Sequence, residues 1–217
     1  KEMVKNLKIE NTKTGVDAWG VFLTNATNFV TIDSLSTKIT IQNCLVQIAD
    51  NTANWTAVDW NDKATNGILV QGKNSLIQHN LVRNIFHGIE TENGHIKVEY
   101  NTVDRFSGDA IRNISSNNTY RFNLLKNAVL DDYYAPNGNH DDLFQSWTFD
   151  KPIENIRLEN NIAISCLEPD LPLKSKIVQG IVCFDGFEKN WVIKHNLVLT
   201  DHPHGIALFG AKDCKIS

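Results

Sequence analysis

What this chain lacks narrows it before anything else does. No run is long and apolar enough to span a membrane. The formal net charge is −4 with the charges interspersed, so there is no general basic surface for nucleic acid. The four cysteines (Cys44, Cys166, Cys183 and Cys214) include no CxxC pair and read as buried thiols rather than zinc ligands or disulfides. Helical periodicity is missing, and so is the leucine scaffold of a leucine-rich repeat. Glycosylation-type triplets at Asn25, Asn54, Asn113 and Asn117 carry little weight in so Asn-rich a chain.

What is present is a repeated phrase: a short alternating apolar run, then Asn, then an apolar residue. It appears at Ile77–Val82, Val98–Val103, Tyr120–Leu125, Leu158–Ala163 and Ile193–Val198, and at Ile41–Val46 with Cys44 in place of Asn. A second phrase, a small residue followed by Ile and alternation, trails it at Gly67-Ile68, Gly88-Ile89, Ala110-Ile111, Gly180-Ile181 and Gly205-Ile206. The bare repeat is 21 residues from Asn80 to Asn101 and 22 from Asn101 to Asn123. That length, with period-2 alternation, predicts an all-β solenoid: a right-handed parallel β-helix of about seven coils, successive strands lying about 4.8 Å apart. The Asn column is expected to sit at an inward corner, its amides bonding the next coil and the backbone groups left over at the bend.

Three coils are longer, and in each the excess falls between the Asn phrase and the small-Ile phrase, at residues 50–66, 130–140 and 167–178. Insertions on one corner of a solenoid commonly form its binding face. Two of them carry aromatic residues in polar surroundings, Trp55 and Trp60 in the first, Tyr133 and Tyr134 in the second. Such rings suit stacking on sugars, or else cap their loops hydrophobically. The repeat covers residues 1–217 as one elongated domain. Cys214-Lys215-Ile216 matches Trp191-Val192-Ile193, so the last phrase is cut inside a coil and the chain reads as a fragment of a longer one. The missing signal peptide therefore excludes little.

A repeat gives a register, and the register places distant residues side by side. Glu90, Arg112 and Gln145 fall in one outward column, and His87, Asp109, Asp142, Gln179 and His204 in another. With His140 they should form one polar patch beneath the long loops. Adjacent Asp109 and Asp142 would repel unless Arg112, a proton or a cation stood between them, which points to function. The column Gln42, Gln78, Glu99, Arg121, Glu159 and Lys194 needs no such explanation, because opposite charges alternate along a solvated face.

The string Gly138-Asn139-His140-Asp141-Asp142-Leu143-Phe144-Gln145 has the spacing His-x-Asp-x-x-Gln. It resembles a motif of right-handed β-helix proteins that degrade or modify polysaccharides, the broad pectate-lyase-like superfamily. The resemblance implies β-elimination or C5-epimerisation of uronate-containing polymers such as alginate, pectate or glycosaminoglycans, outside the cell or on a phage virion. Both reactions need a charge neutraliser, a base and an acid. Arg112, or a cation such as Ca2+ held by Asp109, Asp141 and Asp142, would neutralise. His140, Tyr133 or Tyr134 would exchange protons. Glu90 and Gln145 would orient sugar hydroxyls, with His87, Trp60, Gln179 and His204 beside them. The chain also resembles polygalacturonases in the order Asp109, Asp141-Asp142, Pro203-His204-Gly205. That similarity implies glycosidic hydrolysis by paired carboxylates. The His-Gly stretch lies two coils beyond Asp142 rather than one and no Arg-x-Lys follows, so hydrolysis ranks second. A third alternative is a non-catalytic glycan-binding or structural shaft, as a monomer or a fibre-like trimer.

Overall fold

The computed structural model describes residues 30–130, 141–148 and 150–217, together with the backbone of strands Met3–Val4, Leu7–Ile9, Asp17–Trp19 and Phe22–Leu23. The chain winds through three parallel sheets in turn and returns to the first, one strand further along the axis. One such coil contributes Leu81–Ile85 to the first sheet, Ile89–Thr91 to the second and Lys97–Glu99 to the third. This is the right-handed parallel β-helix that the repeat predicts. Each sheet has eight strands, one more than the seven coils counted from the sequence, because the first coils carry no Asn phrase. A further three-stranded sheet, Ile153–Glu154, Glu188–Lys189 and Ala211–Lys212, forms at the bend between the second and third sheets.

Alternation decides what fills the interior. In the third sheet Ile41, Ile77, Val98, Tyr120, Leu158 and Ile193 pair in register and are all buried. Burying each such side chain contributes about 1.5–3 kcal/mol, and the stack repeats on all three sheets. Tyr120 brings a hydroxyl inside, where it donates to Asn113 Oδ1 at 2.8 Å. Asn113 is thereby fully buried, so its glycosylation triplet is closed to a sugar. On the outer face Gln78 donates to Gln42 at 2.7 Å, Arg121 to Glu99 at 2.8 Å, and Lys194 pairs with Glu159 at 3.7 Å, which is the alternating ladder expected there.

The Asn corner joins the third sheet to the first. Asn80, Asn101, Asn123 and Asn161 each donate Nδ2–H to the Oδ1 of the next Asn in the column, at 2.9–3.1 Å. That same Oδ1 accepts the backbone N–H of the preceding column member, and each amide also donates to a carbonyl of the coil before. Cys44 takes its place at the end of the ladder, its N–H donating to Asn80 Oδ1 at 3.0 Å. The residue before each ladder position turns left-handed: Asn43, His79, Tyr100, Phe122, Asn160 and His195 have φ of 54–58°. Rings in that conformation cost about 1–2 kcal/mol each. Here His79, Tyr100 and Phe122 stack outside the helix with centroids 4.9 and 4.8 Å apart, which offsets the cost.

The first insertion holds the one helix of the described residues, Ala57–Lys63. The absence of helical periodicity hid it, although its signals are local. Thr56 and Asp59 form a reciprocal capping box, and Lys63 reaches Asp59 at 2.6 Å. No helix among the described residues is long and apolar enough to cross a membrane.

Candidate functional site

The second sheet carries the polar columns. Its strands Ile89–Thr91, Ile111–Asn113 and Asp142–Ser146 pair so that Glu90, Arg112 and Gln145 stand in one row. Asp142 pairs with Gln179, and His204 Nδ1 lies 3.4 Å from Gln179 Oε1. The register read from the sequence therefore brings both columns together.

The His-Asp column has a structural task that its charges concealed. Asp109 N–H donates to His87 Nδ1 at 2.9 Å, and Asp142 N–H donates to Asp109 Oδ1 at 3.1 Å. Each side chain satisfies a backbone donor of the next coil, whereas each Asn at the other corner satisfies one of the coil before. The expectation that this column has no structural reason is thus corrected. Gly108 makes room for it, since a Cβ there would come within 2.5 Å of His87 Nδ1.

His87 accepts at Nδ1, so its proton sits on Nε2. Burial first, and the charge of Arg112 second, push its pKa from 6.5 down to about 2. Its 3.7 Å approach to Asp109 Oδ2 is consequently not an ion pair, and the buried ring is a positioning group rather than a sugar ligand.

Asp109 is 0% exposed, and burial of a carboxylate at that depth requires an opposite charge. Arg112 supplies it, with Nε at 2.8 Å and Nη2 at 2.7 Å from Oδ2. The Arg112 side chain stays 18% exposed, and its guanidinium lies 4.8 Å over the ring of Trp147. It opens into a pocket of about 190 Å³ lined by Arg112, Gln145, Trp147, Phe184 and Asp185. Glu90 borders Arg112 in the same row. Its carboxyl is raised above the usual range by burial, an effect that the Arg112 charge opposes.

Trp147 and Phe184 were missed in the sequence, although a signal was there. Gln145 pairs with Val182, and continuing the alternation two residues further along each strand leads to Trp147 and Phe184. Phe184 in turn packs against His204, with centroids 5.0 Å apart, and against Phe209 at 4.3 Å.

Other expectations change. Trp60 is not an exposed stacking platform. It is 2% exposed and packs with Val129 and Leu130, Trp55 standing edge-on at 5.1 Å, because the loop needs an apolar core of its own. Asp142 is 0% exposed and Asp141 is buried, so with Asp109 they present no pair of surface carboxylates to a glycosidic bond. Among the described residues no group of three or more His, Cys, Asp and Glu side chains converges to hold a metal, and Asp109 is already engaged by Arg112. The described residues thus do not fit the Ca2+ site expected at Asp109, Asp141 and Asp142. Tyr133, Tyr134 and His140 lie outside the described residues.

The geometry at hand is a fixed, partly exposed guanidinium between an aromatic wall and two polar side chains, suited to a carboxylate on a ring-shaped ligand. Compared with known protein families, with curated proteins and with solved structures, the chain matches none.

Proposed function

We propose that this chain acts on uronate-containing polysaccharides, as a β-elimination lyase or C5-epimerase of the pectate-lyase-like kind, outside the cell or on a virion. The observation that carries this is Arg112: held by Asp109, stacked on Trp147, and open to a pocket with Gln145 at its edge. A uronate carboxylate placed against that guanidinium would have its charge neutralised, and the C5 proton beside it would become acidic. A base then removes the C5 proton, and the electron pair moves into the carboxylate as an enolate dianion, the species that Arg112 stabilises more than it does the ground state. Collapse of the dianion expels the O4 glycosidic oxygen, which takes up a proton, in elimination. Protonation at C5 from the opposite face gives epimerisation. His87 is held neutral and buried, so the proton carriers in this scheme are His140, Tyr133 and Tyr134. Trp147 and Phe184 supply the apolar surface for the C–H face of a sugar ring.

The test is a panel of alginate, pectate and glycosaminoglycans followed by product absorbance in the far ultraviolet and by solvent deuterium uptake at C5. A lyase forms absorbing unsaturated ends. An epimerase takes up deuterium without them. Reducing ends with neither signal would mean hydrolysis, and no product on any polymer would mean a binding shaft. Arg112→Lys keeps a charge but loses the forked geometry, and turnover should fall about 10²-fold or more. Unchanged turnover would remove Arg112 from the reaction.

A further inference from the structure

A second cavity shares no residue with the Arg112 pocket. It encloses about 620 Å³ between the first and third insertions, within the range of small-ligand sites. Its walls are built rather than incidental. Trp60 is packed against Val129 and Leu130 with Leu171 beside them, which fixes an apolar side. The loop bases are tied to the first sheet by two asparagines. Asn84 donates to Ala49 O at 2.8 Å, and Asn127 accepts the N–H of Leu167 at 2.8 Å while donating to Glu168 Oε1 at 3.0 Å.

The charge of the cavity is unbalanced. Among the described residues Asp50, Glu168 and Asp170 line it against one cation, Arg105. That guanidinium is already committed, with Nη2 2.6 Å from Glu168 and Nη1 3.5 Å from Asp104. Lys126 reaches the same two acids at 4.0 and 3.5 Å but does not line the cavity. Uronate carboxylates would therefore be repelled here, the reverse of the preference at Arg112. An apolar wall faced by carboxylates suits a ring that is apolar on one side and carries hydroxyls and a positive charge on the other.

We propose that this cavity is a binding site for a sugar bearing a free ammonium group, an amino sugar of one or two units. The ring lies against Leu171, with the buried Trp60 packed behind it, and its ammonium is received by Asp170 beside the Glu168–Arg105 pair. The site is independent of the reaction proposed at Arg112.

The probes are the β-1,4-linked glucosamine disaccharide, its N-acetylated counterpart and a uronate disaccharide, each titrated calorimetrically into the protein. Only the free amine should bind, more weakly as salt is raised. Asp170→Asn should weaken it about fivefold or more. Ala53→Trp, which fills the cavity from an exposed loop position, should abolish it without changing the thermal midpoint. Absence of heat from the amine at millimolar concentration would overturn the proposal, as would equal binding of the acetylated or acidic sugar, or binding that survives Ala53→Trp. Should Ala53→Trp not fold, Asp170→Asn decides the matter alone. Because the two pockets share no residue, a negative result here leaves the Arg112 assay unaffected, and the converse holds.

Discussion

Two corners of each coil face the same problem, a bend that leaves backbone donors without partners, and they solve it with different chemistry. At the corner after the third sheet the answer is a neutral amide repeated from coil to coil. From Asn80 to Asn161 every Asn gives and receives within the column, and Asn196 receives at its end while donating to Leu158 O. At the corner before the second sheet the caps are an imidazole and a carboxylate, His87 and Asp109. A buried carboxylate requires a cation, and the cation it recruits, Arg112, keeps one side in solvent. The amide column is closed on itself, whereas the charged one ends at a group able to act.

The contrast can be broken at either corner. Arg112→Leu would remove the cation that faces the buried Asp109 carboxylate and should cost about 3–5 kcal/mol in urea unfolding at neutral pH. A loss below about 1 kcal/mol would mean that Asp109 does not depend on Arg112. Asn101→Ala removes the acceptor for Asn80 and the donor to Ile77 O and Glu99 O, all buried, and should cost about 3 kcal/mol by the same measurement. Its activity on any accepted polymer should be unchanged below the melting transition, unlike that of Arg112→Lys.

Acid should separate the corners more gently. His87 is neutral in the fold, with its pKa lowered from 6.5 to about 2, so below pH 6.5 the unfolded chain binds a proton that the folded one refuses. Stability therefore falls as pH drops through that window, by up to about 1.4 kcal/mol per unit for this one group. His87→Asn keeps an acceptor for Asp109 N–H and should flatten that part of the unfolding curve. Parallel curves for the two proteins between pH 6.5 and 4 would refute the neutral assignment. The smallest effect belongs to the outer aromatic stack. Tyr100→Asn exchanges stacking for a residue at ease with φ of 57°, and stability should change by about 0.5 kcal/mol or less.

Much of this was legible before folding. A 21- or 22-residue repeat, once aligned, predicts that Glu90 pairs with Arg112 and Arg112 with Gln145, because parallel strands one coil apart must match in register. The Asn column and the alternating Gln42-to-Lys194 ladder follow from the same alignment. Helix Ala57–Lys63 was not seen, since seven residues in an insertion are too few to show a period, and its local signs were the Thr56–Asp59 capping box and the Asp59–Lys63 pair. Trp60 looked exposed because its sequence neighbours are polar, yet Val129 and Leu130, far along the chain, bury it.

By itself, then, the sequence determined the path of the chain and which residues become neighbours across coils, for periodicity is a local property written into every repeat. Only the tertiary structure decided what those neighbours do. Whether Asp109 is a surface acid or a buried cap, whether Arg112 is spent or presented, and whether the loops enclose a cavity all depend on depth and packing. Depth is set by parts of the chain that share no period.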